Sequence, residues 1–150
     1  MGFIMILDLF SLKGKTAVVT GANTGLGQGI CVALAQAGAS VIGVARRSCA
    51  DTAEKIAEFN GSFSELIVDL STPDAVDKII EGIDSLGGNV DILVNNAGII
   101  KRADALDVTE EDWDTVINLN QRLVFFLSQK IAKKYMVPQK YGKIINIASM

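Results

Sequence analysis

A chain of 150 residues with 49% apolar residues, 21% charged residues and a net charge of −3 is long enough for one domain with a real core. That balance excludes a disordered chain and a membrane-spanning one, and it gives no support for a nucleic-acid partner. Histidine is absent, which removes the commonest general base, the commonest metal ligand and every Ser-His triad, so no metal site is expected.

The first dozen residues are apolar but lack the basic start and small-residue cleavage site of a signal peptide. Met1-Gly2 opens like a myristoylation signal, yet Ile6 stands where Ser or Thr is required. Residues 1–11 therefore read as a short leader of a cytoplasmic protein, with Met5 an alternative start. Cys31 and Cys49 have no ligand-like spacing and read as reduced thiols.

The run Thr16–Thr20 predicts the first strand. It enters the turn Thr20-Gly21-Ala22-Asn23-Thr24-Gly25-Leu26-Gly27, and a helix follows from near Gly25 to Gly38. On that helix Leu26, Ile30, Ala33, Leu34 and Ala37 share one side. A strand passing through a glycine turn into a helix is a phosphate cradle. Backbone N–H groups at the helix N-terminus face an anion, and glycines let it approach. The bland alternative is a tight connection that needs positive φ.

Further strands are predicted at Val41–Ala45, Leu66–Val68, Ile92–Val94 and Lys143–Ala148. A helix is predicted over Asp51–Asn60, and another from Pro73, where Val76, Ile79, Ile80 and Ile83 keep helical spacing. Thr109, followed by Glu110, Glu111 and Asp112, predicts the start of a long helix that ends before Pro138. Alternating strands and helices imply parallel pairing with right-handed crossovers. The fold class is α/β, a doubly wound parallel sheet of the Rossmann type with about five strands. Residues 1–150 read as one domain, and as an incomplete one, because such a sheet carries a further helix after its fifth strand.

Three more features point at the carboxyl ends of the strands, where open α/β sheets bind ligands. Asn95-Asn96-Ala97-Gly98 follows the fourth strand. Asn120 falls within an apolar stripe of the long helix formed by Trp113, Val116, Ile117, Val124, Leu127 and Ile131, with Asn118 on the far side. Ser149 ends the last strand. At the end of the second strand, an acid would bond the ribose 2′-hydroxyl of NAD and a base would accommodate the 2′-phosphate of NADP. The chain has Ala45-Arg46-Arg47 there and no acid before Asp51, which favours NADP locally.

In combination and in order, these motifs resemble the short-chain dehydrogenase/reductase family from about Leu12 to Ser149. The resemblance implies an NAD(P)-dependent oxidoreductase. It implies that Gly21, Asn23, Thr24, Gly25, Leu26 and Gly27 hold the cofactor pyrophosphate. Arg46, Asp69, Asn95, Ala97 and Gly98 complete the cofactor site, with Asp69 at the adenine. Asn120 would support a proton relay, and Ser149 would orient the substrate carbonyl or hydroxyl. The chain resembles members that oxidise a secondary hydroxyl of a sugar acid, and other sugar-acid dehydrogenases of the family share this half. Those members usually use NAD, so the cofactor stays open between NAD and NADP, with Arg46 the deciding residue. Lys101 and Arg102 read either as attractors of a substrate carboxylate or as solvated loop cations.

The family's catalytic Tyr-x-x-x-Lys has no counterpart among the 150 residues. Tyr135 is followed four places later by Gln139, and Lys143 follows Tyr141 at the wrong spacing. The chain is therefore expected to be an amino-terminal fragment, inactive alone, with a non-catalytic dinucleotide-binding module as the alternative. The family's homotetramer uses the long helix and the helix that follows it in the family, which is not among these residues.

Overall fold

The computed structural model describes residues 5–148, so Ser149 lies outside the described residues. Five parallel strands, β1 (Thr16–Thr20), β2 (Ser40–Ala45), β3 (Ser62–Ile67), β4 (Ile92–Asn95) and β5 (Lys143–Asn146), form one sheet in the order β3-β2-β1-β4-β5. The order reverses between β1 and β4, and that switch point fixes where a ligand crevice opens.

Alternate residues of the central strands enter two separate cores, as a sheet covered on both faces requires. Ala17, Val19, Val41, Ile92 and Val94 pack against α1 (Gly25–Gln36) and α2 (Ala50–Ala57). Val18, Ile42, Val44 and Leu93 pack against α3 (Ala75–Ser85) and a long composite helix. That helix runs through α4 (Glu110–Ile117), a π-helical stretch (Asn118–Leu123), α5 (Val124–Ile131) and a second π-helical stretch (Ala132–Met136). A 3₁₀ turn, Ile6–Phe10, precedes β1 with its side chains exposed.

Both ends of the helices follow their local chemistry. Gly38 takes φ +101°, and the Ala39 N–H reaches back to the Leu34 carbonyl at 3.0 Å, closing α1 with a left-handed cap. Thr109 Oγ1 accepts from the Asp112 N–H at 3.1 Å and starts α4 as its sequence predicts. At the amino end of the sheet, the buried Asp91 carboxylate accepts from the Thr16 N–H at 2.9 Å and the Lys15 ammonium at 3.1 Å, tying β1 to the turn before β4. Burial pushes the Cys31 thiol up to about 12 and the Cys49 thiol up to about 11, so both stay protonated and inert at neutral pH.

Four expectations need correction. β3 begins at Ser62, not Leu66, because the whole edge pairs with β2 from Ser40↔Ser62 to Ala45↔Ile67. Its alternating, half-exposed pattern carries little apolar signal. β5 stops at Asn146 rather than Ala148. The buried line of α1 is Gly27, Cys31 and Ala35, while Leu26 is exposed. Small residues at i, i+4 and i+8 let the helix sit close to the sheet, and the longer aliphatics turn outward or to the flanks. In the long helix Trp113 and Asn120 are exposed, and the buried line is Leu123, Leu127 and Ile131. The π-helical stretch widens the turn to i→i+5 bonding and breaks the 100° phase on which the continuous stripe was laid out.

Ile144 and Ile145 point to opposite faces of β5 and are 41% and 45% exposed, and Phe125 of α5 is exposed as well.

Candidate functional site

A crevice of about 930 Å³ opens at the carboxyl ends of β1 and β4. Five segments converge on it. The first turn contributes Gly21, Asn23, Thr24, Leu26 and Gly27, and the end of β2 contributes Ala45 and Arg46. The chain after β3 adds Asp69, Leu70 and Ser71, and the chain after β4 adds Asn96, Ala97, Gly98 and Ile99. The start of the long helix closes one side, with Asp114, Thr115, Asn118 and Leu119 among its lining residues.

The turn is built for close backbone approach. Gly21 takes φ +70° and Gly25 φ +56°. A Cβ on Gly27 would lie 2.0 Å from the Gly21 carbonyl oxygen, so the helix start rests directly on the turn. Thr24, ahead of α1, makes no side-chain cap bond, and no acidic residue stands in the first turn. The contrast with α4 is direct, since there a threonine caps and three acids follow. The free amides and positive dipole end of α1 are left for an external anion, which fits a diphosphate.

Thr20 and Asn96, both named within the predicted motifs but not assigned to the cofactor site, lock this turn to its neighbour. The buried Thr20 hydroxyl accepts from the Asn96 and Ala97 N–H groups, both at 3.0 Å. Asn96 Nδ2 donates to the Thr20 carbonyl at 2.9 Å. These bonds tie the loops after β1 and β4 to each other. A third, Thr52 of α2, is fully buried and donates to the Ala22 carbonyl at 2.8 Å while accepting from Gln28 Nε2 at 3.2 Å. Their signal was present as polar side chains at strand ends and on a helix face, but which carbonyl each reaches depends on the packed loops.

Asn95 does not line the crevice. Its side chain is buried and donates to Asn146 Oδ1 at 2.8 Å and Ser128 Oγ at 3.0 Å, binding β4 to β5 and α5. The role of that tetrad at the crevice falls to Asn96, Ala97 and Gly98. Gly25 shapes the turn through its φ and is not among the lining residues.

Asn120 sits in the π-helical stretch and pairs with one backbone unit twice. Its Oδ1 accepts from the Ile99 N–H at 2.9 Å, and its Nδ2 donates to the Ile99 carbonyl at 2.8 Å. It thereby fixes the loop after Gly98 along the crevice wall. Asn118, expected on the far side, lines the crevice instead. Asn120→Ala removes both bonds. At about 0.5–1.5 kcal/mol each, the expected loss is about 2 kcal/mol, with faster hydrogen exchange at the Ile99 amide. Unchanged exchange there would show that the clamp does not order the loop.

Arg46 makes no ion pair among the described residues. It stands across from Asp69, whose carboxyl is held below the usual carboxylate range by the Ser71 hydroxyl and amide, with the Arg46 charge adding to the effect. Lys101 is paired with Asp112 at 3.2 Å, with both side chains partly exposed. Tyr135 is buried at 3.0 Å from Asp84 Oδ1. Burial, then Asp84, push its hydroxyl well above the usual tyrosine range, so it is no proton-transfer group. Tyr141 precedes β5, at the amino end of the sheet opposite the crevice, with the Lys15 ammonium 3.8 Å above its ring.

Residues 15–150 match the family model described as short chain dehydrogenase. The chain is 48% identical over 146 residues to 2-dehydro-3-deoxy-D-gluconate 5-dehydrogenase of Escherichia coli (strain K12), covering 97% of this chain and 58% of that one. It is 39% identical over 145 residues to gluconate 5-dehydrogenase of Gluconobacter oxydans, covering 95% of this chain and 56% of that one. A solved Agrobacterium tumefaciens structure with bound NADP, provisionally assigned as a 2-deoxy-D-gluconate 3-dehydrogenase, superposes with a TM-score of 0.83 at 48% identity, over 93% of this chain and 55% of that one. The chain thus spans somewhat more than half the length of these relatives. The glycine turn resting on its helix, the crevice at the β1/β4 switch point and the match from residue 15 onward lead to one assignment: this chain belongs to the short chain dehydrogenase family.

Proposed function

We propose that this chain is the dinucleotide-binding part of a cytoplasmic NAD(P)-dependent oxidoreductase that acts on a secondary hydroxyl of a sugar acid. The observation that carries this reading is the uncapped, acid-free start of α1 facing a crevice that Arg46 and Asp69 border. In this reading residues 12–150 are the first part of one Rossmann-like domain, and residues 1–11 are a leader ahead of it. Gly21, Asn23, Thr24, Leu26 and Gly27 hold the pyrophosphate, with Gly25 shaping the turn. Asp69 lies at the adenine, and Ala97 and Gly98 border the nicotinamide half. When bound, the nicotinamide supplies hydride transfer.

Arg46 selects the nucleotide, with NADP preferred to NAD. A guanidinium suits a 2′-phosphate, and the relative with 48% identity in a solved structure holds NADP. Asn120 positions the loop through Ile99, and Ser149 orients the substrate oxygen. The sugar-acid class rests on the names of two relatives, and a gluconate 5-dehydrogenase-like substrate is the alternative within it.

Neither tyrosine present is placed to move a proton at the crevice. The 150 residues by themselves are accordingly a binding module without turnover. Titration of the folded chain with NADP and NAD, followed by calorimetry and by the fluorescence of Trp113 beside the crevice wall, is expected to saturate with NADP the tighter. No change in absorbance at 340 nm is expected on adding sugar acids. A folded chain that binds neither nucleotide would sink this reading.

A further inference from the structure

The crevice edge that carries Arg46 is a loop of four residues, Arg46 to Cys49, between β2 and α2. A loop ending in an exposed arginine selects a ligand only if its backbone is held. Cys49, the residue ahead of α2, makes no cap bond with its side chain, which reaches only the Arg47 carbonyl, at 4.0 Å. The holding group comes from the neighbouring strand. Glu65, paired in register with Gly43, accepts from the Cys49 N–H at 2.7 Å and from the Ser48 hydroxyl at 3.3 Å, both through the same carboxylate oxygen. The Ser48 hydroxyl in turn accepts from the Ala50 N–H at 3.2 Å. Three consecutive loop and helix residues are thus tied, directly or through one hydroxyl, to a single side chain on β3.

Glu65 makes no ion pair among the described residues and does not line the crevice. Its carboxylate is engaged by the loop rather than by Arg46, and it leaves the guanidinium free. We propose that Glu65 is a positioning residue for nucleotide discrimination, which holds the Arg46 loop at the 2′ position of the bound dinucleotide through Cys49 and Ser48. The inference rests on the reading of Arg46 as the selecting residue. It places part of the specificity on a strand that never touches the ligand.

The test measures dissociation constants for NADP and NAD on the unsubstituted chain, Glu65→Ala and Glu65→Gln, with thermal melting alongside. Glu65→Ala is expected to lower the NADP-over-NAD preference about tenfold, roughly the value of one charge-assisted hydrogen bond. Glu65→Gln keeps an acceptor oxygen and is expected to stay within about threefold of the unsubstituted preference. A merely structural cap would weaken both nucleotides equally, and that result overturns the proposal. So does an unchanged preference in Glu65→Ala, or an equal rise in both variants, which would mean that only the charge of Glu65 acts. If Glu65→Ala does not fold, Ser48→Ala replaces it: a threefold loss of preference supports the proposal, and none overturns it. An unsubstituted chain with no NADP preference removes the reading of Arg46 and this inference together, whereas an intact preference untouched by the Glu65 and Ser48 variants removes this inference alone.

Discussion

Gly27→Ala is expected to lower the melting temperature by about 6 °C, while Gly29→Ala, two residues further along the same helix, raises it. A Cβ at position 27 would lie 2.0 Å from the Gly21 carbonyl oxygen, 2.8 Å from the Gly21 carbonyl carbon and 2.6 Å from Asn96 Nδ2. Two of these atoms are backbone of the turn itself, so no rotamer change relieves the contact. Overpacking of this kind costs about 3 kcal/mol, and the better helix propensity of alanine returns about 1 kcal/mol. The remaining ~2 kcal/mol corresponds to about 6 °C for a domain of this size. A Cβ on Gly29 meets nothing within 4 Å, so only the propensity gain of up to about 1 kcal/mol acts there. Differential scanning calorimetry of the two variants gives opposite signs if α1 rests on its turn as described. Two shifts of the same sign would contradict that contact. The Gly27 variant is also expected to lose nucleotide affinity, because relief of the clash moves the turn away from Asn96.

Arg46→Asp is expected to reverse the nucleotide preference, shifting the ratio of NADP to NAD dissociation constants by about 100-fold. A charge-assisted bond to a phosphate contributes about 1.5–3 kcal/mol, and each 1.4 kcal/mol is a factor of about ten. The aspartate then repels the 2′-phosphate and accepts from a ribose 2′-hydroxyl, which moves the two affinities in opposite directions. Before substitution, added salt is expected to weaken NADP binding more than NAD binding, since the guanidinium is exposed and screened. Calorimetric titration at two ionic strengths measures both effects. An unchanged ratio in Arg46→Asp would remove Arg46 from the selecting role, whatever the fate of the rest of the crevice.

The five strands, the helices between them, the α1 stop at Gly38 and the Thr109 cap were legible in the chain, because each follows from local rules. Apolar runs, a residue tolerant of positive φ and a hydroxyl three residues ahead of an amide act over a few positions. Their placement around a crevice was legible too, since alternating strands and helices leave few topologies. What failed was phase and partner. The buried face of α1 was laid on its larger aliphatics, yet the tight turn draws the helix down along Gly27, Cys31 and Ala35. The stripe of the long helix was continued through Asn120, yet Asn120 is exposed and Asn118 lines the crevice.

The asparagines show where the limit falls. By itself the sequence determined that polar amides stand at the end of β4 and in the middle of a long helix, and that a basic residue ends β2. Composition and spacing along one chain are enough for that. Only the tertiary structure decided that Asn95 turns inward to Asn146 and Ser128, that Asn96 ties one loop to another through Thr20, and that Glu65 reaches the Arg46 loop. The physical reason is the same in each case. A buried or loop-anchoring polar group takes the partner that packing brings within about 3 Å, and that partner lies between 16 and 76 residues away in the chain.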